Sequence, residues 1–278
     1  MTIFPDHPRE PPEPVVDAAP AEVGVVKSAA RVLRIFEFFD DVQRAARLNE
    51  ICAALDLPAS STSALLHSLV KLGYLQVDAG SRGFVPTSRI AMLGSWAAGD
   101  LGQDGWFLRV MDELSAQTGQ TISIAARNGI YAQYIRVEQA TTPLRVAVPT
   151  GTRRLLAWSA SGTVLLGAAD EAEIAAIVRR TNAERLPGQP RVDTARVLEN
   201  VALFRRQGYF FSRGMVVPGA GHIAMAMPSA GATRQPQVHA LGVAGWIEEL
   251  ERNEARIVRQ MRTALQRRAA GQTRGEKR

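Results

Sequence analysis

LNEICAALDLPASSTSALLHSLVKLGYLQVDAGSRGFVP, residues 48–86, decides the fold. Two short helical patterns, a tight turn and a strand–turn–strand pattern follow one another in it without a gap. Leu48, Ile51, Cys52 and Leu55 recur at i, i+3, i+4 and i+7, which places them on one face of a helix. Asp56-Leu57-Pro58 stops that helix, because proline lacks the N–H donor and pushes its predecessor out of the helical region. A second helix is expected to start with Ser60 and Ser61 as N-caps, to carry Leu65, Leu66, Leu69 and Leu72 inward, and to end at Gly73. Its other face, Ser63, Ala64, His67, Ser68 and Lys71, is small and polar, so such a helix can sit deep in a DNA major groove.

Tyr74 to Val77 and Phe84-Val85 alternate around the polar, glycine-containing loop Asp78 to Gly83, which predicts a hairpin wing with Arg82 at its tip. Upstream, Ser28 to Phe39 gives a helix whose Ala29, Val32, Leu33, Ile35, Phe36 and Phe39 close a three-helix core. The whole reads as a winged helix-turn-helix over 23–87. Ser60, Ser61, Ser63 and His67 are expected to read bases, with Lys27, Lys71 and Arg82 on the phosphate backbone of an operator. Bulk charge is a weaker guide. The chain carries +6, but residues 23–90 hold eight Lys/Arg against six Asp/Glu, and most of the excess lies further on.

At 278 residues two domains of ordinary size are expected. No run of about 18 apolar residues and no basic-then-apolar leader occurs, so a soluble, cytoplasmic protein without membrane attachment is expected. The single cysteine, Cys52, excludes an internal disulfide and reads as a packed thiol. Residues 1–22, with six prolines and five acids, read as a disordered tail, and 269–278 as a disordered basic one.

Ser88 to Trp96 gives a linker helix within 88–105, broken by Gly99, Gly102 and Gly105. Phe107 to Thr118 is an amphipathic helix closed by Gly119. Thr121–Ala126 and Ile130–Val137 read as strands joined at Asn128-Gly129, Leu144–Val148 as a third, and Ile223–Met227 and Val238–Val243 as two more. Helices are expected over Ser159–Ala168, Asp170–Arg180, Asp193–Gly208 and Trp246 to about Arg268, the last with Trp246, Ile247, Leu250, Ile257, Met261 and Leu265 inward. Interleaved antiparallel strands and helices predict an α+β sensor-type domain over 106–268.

From Lys27 to about Arg267 the chain resembles an IclR-type transcriptional regulator, through the order of its motifs. Leu57-Pro58, Ser60-Ser61 and Leu72-Gly73-Tyr74-Leu75 resemble that family's DNA-binding half, and Ile90 to Gly94 its linker helix. Thr118 to Thr121, Gly151 followed by Ala160-Ser161-Gly162, Gly208-Tyr209, and Pro218-Gly219 before Ile223-Ala224 resemble its ligand-binding half. The resemblance implies a GAF-like effector domain with a six-stranded antiparallel sheet, homodimers through the DNA-binding half, and homotetramers through the effector half. No cofactor, metal or catalytic residue is implied.

Thr163 stands where the family commonly has a lysine, His222 where it has a small residue or cysteine, and Gly242 and Ala244 where it has serines. The effector is accordingly expected to be a carboxylate, larger or more aromatic than a small oxoacid. Its expected site is Leu144, Val146, Trp158, Ser159, Gly162, Arg213, His222 and Gly242. Three readings compete: an effector-responsive repressor or activator, an effector-independent regulator with a vestigial pocket, and an enzyme. No Gly-x-Ser-x-Gly elbow and no metal-ligand spacing of the four histidines favours the last.

Overall fold

A computed structural model describes residues 25–94, 105–141, 146–185, 191–228 and 238–275, the side chains of the last segment only to Arg267. The tail of residues 1–22 and the glycine-rich segment 95–104 lie outside these. The chain divides into two compact units, on either side of residues 103–104. No helix among the described residues is long and apolar enough to cross a membrane.

The first unit contains α1 (Lys27–Val42), α2 (Leu48–Leu55), α3 (Ala59–Lys71), β1 (Leu75–Val77), β2 (Phe84–Pro86) and α4 (Ser88–Gly94). Its core joins Ile35, Phe38 and Phe39 of α1 to Ile51 of α2, Leu66 and Leu69 of α3, and Leu75 and Phe84 of the wing. Phe38 takes the place expected of Leu33, which is 63% exposed. α3 starts one residue early: Pro58 is its N-cap, and Ser60 and Ser61 lie inside the first turn, where the Ser61 hydroxyl donates back to the Pro58 carbonyl. Proline's fixed φ suits the extended N-cap position, and no side chain caps the first-turn amides. Leu72, expected inward, is 58% exposed, because the helix ends at Lys71 and the left-handed Gly73 turns the chain.

β1 and β2 pair antiparallel, with Val77 opposite Phe84, and Ala46 adds a bridge beside Phe84. Gly83 permits that bridge: a Cβ there would stand 3.0 Å from the Ala46 carbonyl oxygen. Asp78 shapes the turn by accepting from the Ser81 amide (2.8 Å) and hydroxyl (2.7 Å), bonds that hold its carboxyl below the usual range.

The second unit holds α5 (Trp106–Thr118), β3 (Thr121–Asn128), β4 (Tyr131–Glu138), β5 (Arg153–Leu155), α6 (Ala160–Leu165), α7 (Glu171–Glu184), α8 (Thr194–Gln207), β6 (Phe210–Arg213), β7 (Ala220–Ala226), β8 (His239–Trp246) and α9 (Ile247–Gly275). Its six strands form one antiparallel sheet in the order β5-β4-β3-β8-β7-β6. The architecture is α+β, as expected. Alternation along β7 and β8 sorts side chains between two layers. Gly221 lies against Leu250 of α9, whereas His222 and Gly242 face away from it.

Three expectations are corrected. Residues 146–149 form no strand; the edge strand is β5. Side chains tie the 146–149 segment down instead: Thr121 Oγ1 donates to the Val146 carbonyl at 3.0 Å and Gln139 Nε2 to that of Val148 at 2.6 Å. Trp246 closes β8 opposite Ala220 and is 38% exposed, so the inward face of α9 begins with Leu250. The backbone of α9 continues to Gly275, into the stretch expected to be a tail; Ala, Gln and Arg are good helix formers.

Candidate DNA-binding face and effector cavity

The outer face of α3 has the character its sequence implies. Ala64, His67, Ser68 and Lys71 are exposed, Ser60 is exposed in the first turn, and Ser61 and Ser63 are half-buried. His67 Nδ1 lies 2.8 Å from the Ser63 carbonyl oxygen, which only accepts. The ring therefore donates from Nδ1. The same ring meets Phe84 of the wing edge-on at 5.7 Å, so His67 is pinned where helix and wing join. Lys27 opens α1 and is exposed, as is Arg82, which holds φ +54 in the left-handed region. Four other cations are engaged locally: Arg34 donates to the Leu55 carbonyl, Arg44 pairs with Glu50, Arg47 holds the wing through the Ser81 carbonyl, and Arg89 stacks on Tyr74.

In the second unit Val146, Val148, Val216, Val217 and Ala244 surround a cavity of about 50 Å³ into which Tyr134, Arg154, Ser212 and His222 bring polar groups. β4, β5, β6 and β7 each supply one of the four. The Tyr134 hydroxyl lies 3.4 Å from His222 Nδ1, and the rings meet edge-on. His222 Nε2 is sealed from solvent and has no hydrogen-bond partner, as is Ser123 Oγ on β3. Burial, and secondarily the Arg154 cation, depress the imidazole to about 4, so it is neutral at pH 7. Burial likewise raises the Tyr134 phenol, keeping it protonated. Arg154 is the one charged side chain among the described residues lining the cavity. Arg154 is half-buried, and a cation beside neutral polar groups in a confined space favours an anion.

The helix-turn-helix model of the IclR family matches residues 28–79, and the model of the C-terminal domain of bacterial IclR transcriptional regulators matches residues 106–269. The chain belongs to the IclR family. Among curated relatives, the HTH-type transcriptional repressor AllR of Salmonella typhimurium is 26% identical over 222 residues, 76% of this chain and 77% of that protein. AllR of Escherichia coli is 25% identical over 225 residues, covering 76% and 78%. Among solved structures, the effector domain of the transcriptional regulator IclR from an Acinetobacter species superposes with TM-score 0.54 at 26% identity, over 59% of this chain and 93% of that one. A Rhodococcus regulator covers 87% and 96% with TM-score 0.57 at 20% identity, which shows the fold alone.

An IclR-family regulator pairs a helix-turn-helix DNA-binding domain with an effector domain, and the two units correspond to these. Of the expected effector set, Val146 and His222 line the cavity and Gly242 lies under the His222 ring; Leu144 is outside the described residues. The others stand elsewhere. Ser159 caps α6, accepting from the Gly162 amide, and Gly162 lets that helix approach Leu156, whose carbonyl oxygen would be 2.2 Å from a Cβ. Trp158 packs against the hydrophobic core with Arg196 over its ring. Arg213 points to the α9 layer, paired with Glu251 (2.7 Å) and Glu254 (3.0 Å), because it alternates with the cavity-facing Ser212. Tyr134, Arg154 and Ser212 were missed. Tyr134 reads as core in an apolar strand, and Arg154 lies in a strand of three residues that carries no periodic signal.

Among the described residues no cluster of three or more His, Cys, Asp or Glu could hold a metal ion.

Proposed function

We propose that the protein is a homodimeric or homotetrameric repressor that binds an operator through α3 and the wing and is controlled by a small carboxylate held at Arg154. The observation that carries this is the small, singly cationic cavity in the effector domain. Its volume, room for about four waters at roughly 10–15 Å³ each, favours a small acid over the larger or aromatic one that the sequence suggests. The repressor sign follows the relatives named AllR. Ser60, Ser61, Ser63 and His67 read base edges; Lys27, Lys71 and Arg82 hold phosphates. The protein acts by binding, not by turnover. Effector and operator are thermodynamically linked, so each changes the affinity of the other by the same factor.

The small cavity also favours a second reading, an effector-independent regulator. A thermal-shift screen of small carboxylates on the full chain, followed by operator binding with and without the hits, separates the two. A ligand at 100 times its Kd stabilises the folded state by about 2.7 kcal/mol, a readily measured rise in Tm. A flat screen with unchanged operator affinity would establish the second reading.

A further inference from the structure

His222 and Gly242 sit on adjacent antiparallel strands, Ala224 of β7 being paired with Gly242 of β8 and His222 with Ala244. A Cβ at Gly242 would stand 2.0 Å from His222 Nε2, 2.9 Å from its Cε1 and 2.8 Å from Ser123 Oγ. Backbone conformation does not call for glycine here, because Gly242 is not among the residues with positive φ. Space does: the imidazole lies in the volume that any β8 side chain would fill. The same imidazole is a wall of the cavity. Its seat on β8 therefore decides how much of the cavity stays open.

We propose that His222, seated on Gly242, is the size filter of this cavity, restricting it to carboxylates of roughly two to four carbons at Arg154. Gly242 touches no ligand; it is the positioning residue that keeps the ring back against the sheet. Placing a methyl group at 242 pushes the imidazole into the cavity, whereas removing the imidazole opens room for a ring. The inference rests on the effector reading of the cavity.

The test measures dissociation constants of acetate and benzoate on the full chain by titration calorimetry, for the wild type, His222→Ala, Gly242→Ala, the double variant His222→Ala/Gly242→Ala, and Arg154→Gln. The wild type is expected to bind acetate at least about tenfold more tightly than benzoate, and His222→Ala to erase that preference. Gly242→Ala should lose acetate binding by about tenfold or more. The double variant, with no ring to collide, should recover acetate binding; it also keeps the test decisive should Gly242→Ala not fold. A benzoate-to-acetate ratio unchanged by His222→Ala, with binding still lost in Arg154→Gln, overturns the filter and leaves the effector reading standing. Acetate binding that survives Arg154→Gln, or no acetate binding by the wild type, overturns the effector reading and the filter with it.

Discussion

His222 couples its surroundings to pH. Burial holds its folded pKa near 4, against an ordinary 6.5. Between these values the unfolded chain takes up a proton that the folded chain does not. The contribution of His222 to stability is therefore complete above pH 6.5 and is lost as pH falls toward 4, by up to about 3 kcal/mol. Thermal melts from pH 7 to pH 4 should show a steeper decline for the wild type than for His222→Asn; coincident slopes would mean that the imidazole takes up its proton as readily in the fold as in the unfolded chain. Arg82 makes a separate prediction. As a phosphate contact, its replacement by Ala should weaken binding similarly on specific and random DNA and reduce the salt slope by about one. A change in operator preference would instead make Arg82 a base reader. The residue scale is also where the sequence was least legible. Arg213 and Arg154 are alike in the sequence, yet one pairs with glutamates of α9 and the other enters the cavity.

Elements defined by local chemistry were read correctly. α2 follows from Leu48, Ile51, Cys52 and Leu55 at i, i+3, i+4 and i+7; the β3–β4 hairpin follows from the left-handed Gly129; and α8 begins at the Asp193 cap, whose carboxylate accepts from the Ala195 amide. β5 and β6, three and four residues long, were missed because so few positions cannot establish an alternation. α6 makes the strongest prediction here. It is buried over its whole length, and its approach to Leu156 depends on the absent side chain of Gly162. Gly162→Ala should cost about 3 kcal/mol or more, seen as a fall in Tm of the effector unit, because the clash is with backbone that has no rotamer to change. An unchanged Tm would show that α6 can slide on the sheet.

At the scale of the molecule, the DNA-binding unit leaves several large apolar side chains outside: Val25, Val26 and Leu33 around α1, and Met92 and Leu93 on α4. α4 buries none of its residues. A unit this small gains little from exposing them, and covering them in a dimer is the economical arrangement. Leu33→Glu with Met92→Glu should shift the chain toward smaller species in sedimentation velocity and weaken operator binding, while leaving acetate binding unchanged. Unaltered sedimentation would mean that these side chains make no contact between copies of the chain.

The amino-acid sequence determined the units of construction: a winged helix-turn-helix with a small polar outer face on α3, a glycine-rich break, and an α+β domain of the IclR family. These follow from periods of 3.6 and 2, from caps and from turn residues, all of which act within a few positions of the chain. Only the tertiary structure decided the cavity proposed for the effector. Tyr134, Arg154, Ser212 and His222 are separated by up to 88 positions along the chain and line one cavity, although β4 and β5 lie at one edge of the sheet and β6 and β7 at the other. Gly242 read as an effector-site residue standing for a serine, and only the β7–β8 register placed an imidazole over it. A register of one residue either way would turn each of these side chains to the opposite layer.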